Sequence, residues 1–158
     1  MAADVRDITV VIGMTGNGIV EMLRGLPVTM AVNDMQGSDM AESVRTGLRT
    51  LGGSPSGILI CLSDHPLVTK HTIGAVIEQH RKTPDAVIIP AYQGKRGHPT
   101  LFPNKILTGI FSGVTLRDII RNNSHTVRAI DVDDEGVVLD MDTEDDYRLI
   151  VQKAKGGT

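Results

Sequence analysis

An α/β fold is what this sequence predicts: a Rossmann-like, open and mostly parallel sheet with helices on both faces. Three observations point there. Short apolar runs alternate with stretches of helical periodicity along the chain, the sign of strands joined by crossover helices. With no Trp, two Phe and two Tyr in 158 residues, the core must be built from Ile, Val, Leu and Met, which suits a buried parallel sheet. A polar turn follows the most apolar run, at the strand end where open α/β sheets bind ligands.

The length fits a single domain over residues 1–155, with 156–158 as a frayed tail. Apolar residues make up 41% and charged residues 22%, the composition of a chain that packs. A net charge of −3 without a basic run provides little of the phosphate-neutralising surface that nucleic-acid binding needs. No leader and no long apolar stretch appears, so the reading is cytoplasmic, without a membrane span. The lone Cys61 cannot pair internally, and inside Gly57–Leu62 it reads as a small buried hydrophobe without chemistry.

Along the chain, Ile8–Ile12 reads as a strand, Asn17–Arg24 as a short helix and Val28–Val32 as a strand ending at Asn33. Asp39 and Glu42 have capping-box spacing for the next helix. Met40, Ser43, Val44, Gly47, Leu48 and Leu51 form its inner stripe, and Gly52 and Gly53 stop it. Gly57–Leu62 is the most apolar strand, and Ser63, Asp64, His65 and Pro66 form its turn. Thr69 caps a helix reaching Lys82, Asp85–Ile89 is a strand, and Tyr92–Pro99 is a loop rich in Gly and basic residues. Leu101 and Phe102 are extended, and helical turns follow over Asn104–Phe111 and Leu116–Asn122. Two extended runs, Thr126–Val132 and Val137–Leu139, flank Asp133–Gly136 at hairpin spacing. Thr143 and Asp146 cap a final amphipathic helix.

Three segments carry chemistry. Asp64 stands just past the buried strand, where Mg²⁺ needs only one or two protein carboxylates while substrate phosphates complete its shell. An Asp capping the turn through backbone amides has the same spacing, and both readings stand. Asp140 and Asp142 alternate, so an extended segment puts both on one face and invites a cation. The neighbouring Glu144, Asp145 and Asp146 complement a helix dipole. In Tyr92–Pro99, Gly94 and Gly97 would let backbone approach a ligand, and Lys95 and Arg96 could meet phosphate. A solvated hairpin tip would look the same.

Two patterns are set aside. Gly13, Gly16 and Gly18 have neither the dinucleotide order nor a following Walker lysine, and read as a turn. Asp131, Asp133, Glu135, Gly136 and Asp142 match a calcium loop only in part, and their flanks read as strands.

In this order, five segments resemble the MobA-like NTP transferase family, particularly the molybdenum cofactor cytidylyltransferases and their purine-catabolism relatives. They are Asn33, Gly37–Leu48 (GSDMAESVRTGL), Leu62–Thr69 (LSDHPLVT), Arg96–Pro99 (RGHP) and Leu139–Tyr147 (LDMDTEDDY). The resemblance implies transfer of a nucleoside monophosphate from CTP or GTP to a phosphate on molybdopterin, releasing pyrophosphate. That chemistry rests on charge neutralisation more than on a covalent nucleophile. By family position Asp64 would hold Mg²⁺ against the nucleotide phosphates, and Asp142 with Asp140 would complete the metal site. Asn33, Ser43, Arg45, Arg96, Gly97 and Pro99 would line the nucleotide or substrate site, and His98 would face the acceptor.

The chain also departs from the family. Family members open with a strand and a loop resembling L-A-A-G-x-S-x-R-M-G-x-x-K, which grips base and triphosphate, and the 158 residues contain no such segment. Met1–Asp7 would then match the end of the helix after that loop, placing a unit of roughly 30 residues or more outside this sequence. Gly113–Arg117 stands where the family has Gly and an acidic residue. The first family strand is central in a sheet beginning 3-2-1-4. Without it Ile8–Ile12 and Gly57–Leu62 should either pair directly or leave open edges that invite self-association. Two alternative functions follow: an inactive truncated member serving as a binding or assembly module, and a sugar-phosphate nucleotidyltransferase on the same sheet.

Overall fold

The run Val87–Tyr92 forms β4, whose first five residues are all buried, as expected of a strand with neighbours on both edges and cover on its faces. In the computed structural model, which describes residues 5–14, 16–37 and 39–156, β4 organises one of two compact units, comprising Pro55–Ile106 and 123–156. Its sheet has the order β3-β6-β4-β5, with β7 also on β4; the strands are β3 (Gly57–Ile60), β5 (Lys95–Arg96), β6 (Thr100–Pro103) and β7 (Val127–Asp131). β6 runs antiparallel to both β3 and β4, so β3 and β4 point the same way. β7 joins them in parallel, in register from Val87↔Val127 to Ala91↔Asp131.

The expected loop at Tyr92–Pro99 is a tight hairpin. Gln93 and Gly94 both take positive φ, 49° and 80°, the pattern of a two-residue turn whose twist matches its strands, and β5 returns along β4 with Tyr92 opposite Lys95. The expected second hairpin does not form. Val137–Leu139 is no strand: Glu135–Val138 is a 3₁₀ turn capped by the Asp134 side chain, which accepts from the Gly136 amide. Gly136 and Val137 are buried by docking as a turn and Val138 is half-buried, so among the described residues β7 pairs with β4 and not with this segment.

Helix α3 (Lys70–Lys82) starts at Thr69, whose hydroxyl accepts from the Thr72 amide, as predicted. Its Val76 packs with Ala86, Ile88 and Leu101 in the core of this unit, flanked by Leu59, Ile77 and Ile130; each such fully buried aliphatic side chain contributes about 1.5–3 kcal/mol. On the same helix His80 is 6% exposed, and neither ring nitrogen makes a well-formed hydrogen bond. Gly57 permits this, because a Cβ there would stand 2.5 Å from His80 Nε2.

Burial lowers the His80 pKa from its ordinary 6.5, outweighing the nearby Asp85 charge and the Ser56 backbone, which act the other way. The unfolded chain therefore takes up a proton that the folded chain refuses, and stability falls as pH drops below 6.5 towards the depressed folded value. Urea midpoints measured across that window should decline with acid, and His80→Leu should flatten part of the decline. A slope identical in wild type and variant would dismiss the assignment.

The other unit comprises 5–54 and Leu107–Asn122. β1 (Thr9–Gly13) and β2 (Thr29–Asn33) pair in parallel, Thr9↔Thr29 to Gly13↔Asn33. Between them runs α1 (Asn17–Leu23), after a turn in which the Gly16 amide donates to the Gly13 carbonyl. The glycines at 13 and 16 thus make the turn expected of them. α2 (Met40–Thr50) is capped by Asp39, which accepts from the Glu42 amide at 2.9 Å. Its buried positions are Ala41 and Gly47, whereas Met40, predicted for the inner stripe, is 52% exposed. Gly47 matters for the packing, since a Cβ would lie 3.0 Å from Val11 Cγ2.

Among the described residues β1 pairs with β2, and in the other unit β3 pairs with β6. The remaining helices are α4 (Asn104–Leu107), α5 (Leu116–Asn122) and α6 (Glu144–Gly156). In α6 Thr143 and Asp146 cap each other's amides, as the spacing predicts. Gly156 closes this helix, not a frayed tail; the rest of the expected tail, 157–158, and residues 1–4 of the expected helix end lie outside the described residues. Among the described residues no helix is long and apolar enough to cross a membrane.

Candidate active site

Where β3 ends, residues 61–69 make two successive turns before α3: the His65 amide donates to the Leu62 carbonyl and the Val68 amide to the His65 carbonyl. Half-buried Asp64 sits on the first turn, and its buried Oδ1 has no hydrogen-bond partner. A carboxylate oxygen taken from water without a donor is costly. An Asp whose only task is capping its own turn would not leave it so, which favours the ligand-binding reading of this residue.

Beside it stand two histidines, with ring centroids 5.0 Å apart and planes inclined at 48°. His65 Nδ1 lies 3.3 Å from the Gly136 carbonyl. A carbonyl only accepts, so this contact calls for a proton on Nδ1. His98 Nδ1 is buried and unpartnered. Burial first, and the His65 charge second, lower the His98 pKa, against the opposing pull of Asp64; the ring is therefore neutral at physiological pH.

Glycines bring these segments together. A Cβ on Gly97 would run into the Val137 carbonyl, and one on Gly136 would stand 2.5 Å from both C and O of Leu67. Gly97 therefore serves packing against the 3₁₀ turn, not the open backbone approach to a ligand that the sequence suggests. The adjacent His98 amide donates to the Val137 carbonyl at 2.8 Å, and the His98–Pro99 peptide is cis. Between Leu62, His65, Val68, His98 and Pro99 lies a cavity of about 140 Å³, well below the 300 Å³ or so at which sites begin to enclose a drug-sized ligand. It can take one small group. A larger open groove of about 290 Å³ between Thr83, Asp85, His125 and Arg128 lies at the amino ends of β4 and β7, away from the carboxyl ends where such sheets bind ligands.

Of the other predicted residues, Arg96 is exposed at the hairpin and Pro99 is buried. Asp140 and Asp142 are exposed on either side of half-buried Met141. Among the described residues, however, no group of three or more His, Cys, Asp or Glu is arranged to hold a metal. Asp64, Asp140 and Asp142 thus form no ready-made triad among the described residues, and the latter two are exposed. Cys61, predicted buried, is exposed, yet desolvation raises its thiol pKa, so it is no activated nucleophile.

In the second unit, Asn33 is 5% exposed, donating through Nδ2 to Ser43 Oγ at 3.0 Å and accepting from the Met35 amide. Arg45 donates to Glu42 at 2.7 Å and to the Ile110 carbonyl at 3.0 Å, so its guanidinium already has structural partners. Sequence reasoning passed over His65 and Asp134. His65 was visible inside LSDHPLVT, whereas Asp134 looked like one of several acidic turn residues.

Comparison with solved structures places the chain in a fold class, the Rossmann-like α/β sheet with helices on its faces. A nucleotidyl transferase from Methanothermobacter thermautotrophicus superposes with a TM-score of 0.82 at 18% identity, over 99% of this chain and 77% of that one. Rv0371c from Mycobacterium tuberculosis, solved in complex with manganese, gives 0.76 at 22% identity over 96% and 81%. Molybdopterin-guanine dinucleotide biosynthesis protein A from Archaeoglobus fulgidus gives 0.63 at 13% identity over 92% and 78%. The chain belongs to the MobA-like NTP transferase domain family, whose model matches residues 1–127, and is by that membership a nucleotidyltransferase. No curated protein sequence matches it.

Proposed function

We propose that this protein moves a CMP or GMP group from the corresponding NTP to a phosphate on molybdopterin, in molybdenum cofactor maturation. An acceptor phosphate oxygen attacks the α-phosphorus, the bond to the bridging oxygen breaks, and pyrophosphate leaves with the displaced charge. The observation that carries the reading is the buried, unpartnered Asp64 Oδ1 at the carboxyl end of β3, beside a neutral His98. The molybdopterin-related protein among the structural neighbours supports the choice of acceptor.

Asp64 would hold Mg²⁺, with Asp140 or Asp142 approaching as second carboxylate, a donor set that suits a hard cation keeping most of its waters. When bound, such an ion neutralises the phosphate oxygens as negative charge shifts to the leaving group. The manganese found in the mycobacterial structure is in keeping with a divalent ion here. His98, neutral and half-buried, orients the acceptor through a hydrogen bond without adding charge. Arg96, exposed at the hairpin of the same unit, is assigned to the nucleotide phosphates.

The test is pyrophosphate release from CTP and from GTP, each with Mg²⁺, before and after adding molybdopterin. Release with one nucleotide that depends on the acceptor is the expected result. Release only with a sugar phosphate as acceptor would move the protein to a different substrate class, and no release with any acceptor would leave it a binding module.

A further inference from the structure

We propose that Asp134 is the positioning residue of this site, a buried carboxylate that fixes the Asp64 loop and the two histidines by tying the start of α3 to the 3₁₀ turn behind them. The inference rests on the reading of Asp64 and His98 as the working end of the site. Asp134 is 8% exposed, and both of its oxygens are used. Oδ2 accepts from the Thr69 amide at 2.9 Å, from the Thr69 hydroxyl at 2.8 Å and from the Thr72 hydroxyl. Oδ1 accepts from the Gly136 amide at 3.0 Å.

Each end of that clamp reaches the site within a few bonds. Thr69 closes the loop that carries Asp64 and His65, so holding its amide sets where the loop ends and α3 begins. On the other side Asp134 caps the turn whose carbonyls do the remaining work: that of Gly136 faces His65 Nδ1 and that of Val137 accepts the His98 amide. A single anion accepting four hydrogen bonds thus sets both the ring state of His65 and the backbone position of His98. Burial alone would raise the Asp134 pKa, but the Thr72, Thr69 and Gly136 donors outweigh it and keep the carboxyl below its ordinary value. An asparagine in its place would turn an NH₂ group towards donors at one end.

The experiment is nitrogen-detected NMR of the uniformly ¹⁵N-labelled full chain, above the imidazole titration range, with amide hydrogen exchange on the same sample. Wild type should show His65 as the Nδ1–H tautomer. In Asp134→Asn the Thr69 and Gly136 amides should exchange about tenfold faster or more, while β4 and β7 amides keep wild-type rates and His65 moves towards the Nε2–H form. A folded Asp134→Asn with an unchanged His65 tautomer overturns the proposal. Should that variant not fold, Thr72→Val removes one donor and keeps the anion; a smaller shift in the same direction is expected, and wild-type values throughout would count equally against it. Neither readout uses a nucleotide, so a chain that transfers nothing leaves this test intact.

Discussion

Asp64→Asn is expected to abolish metal-dependent nucleotide binding while leaving the fold intact. Calorimetric titration of CTP, then GTP, in the presence of Mg²⁺ should show affinity falling by about a hundredfold or more, the scale on which losing one preorganised electrostatic partner is felt at a reacting centre. The same variant should melt no lower than wild type. Its Oδ1 is buried without a donor in the free protein, so the substitution breaks no hydrogen bond at that atom. Loss of binding with equal or higher stability is the signature of a carboxylate kept for a ligand. Loss of both would make Asp64 a structural cap, and full retention of binding would remove it from the site.

Glycine substitutions should separate packing from flexibility just as sharply. Gly136→Ala places a methyl group 2.5 Å from the Leu67 backbone, which has no side-chain freedom to yield, and overpacking of this kind costs about 3 kcal/mol or more. Gly97→Ala meets the Val137 carbonyl in the same way and should cost a similar amount. Gly74→Ala, inside α3 with no atom within 4 Å of its Cβ, should stabilise by about 0.5–1 kcal/mol, because alanine loses less backbone freedom in a helix. Chemical denaturation reads all three, and equal midpoints for Gly136→Ala and Gly74→Ala would refute the packing geometry drawn for the 3₁₀ turn.

Much of the fold was legible because its signals are short in range. Asp39, Thr69 and the Thr143–Asp146 pair cap helices through bonds three residues long, and the alternation of apolar runs needs no distant partner to be read. The same locality explains the errors. Val137–Leu139 is apolar enough for a strand, but Gly136 packs on the Leu67 backbone and the Val137 carbonyl accepts the His98 amide, contacts that a turn makes and local sequence does not show. Cys61 sits in an apolar run, but the strand ends at Ile60, and Cys61 is exposed.

By itself the sequence determined the α/β class, the helix caps, the family and the carboxylate at the end of β3, since each follows from residues close together in the chain or from motifs in fixed order. Tertiary structure decided which of these groups meet. His65 and His98 are brought to 5.0 Å across 33 positions of chain, Asp134 reaches Thr69 and Thr72 from more than sixty residues away, and Asp140 and Asp142 stay in solvent. The reason is physical: a cap closes over one turn of backbone, whereas a buried carboxylate finds its donors only after the loops that carry them have packed.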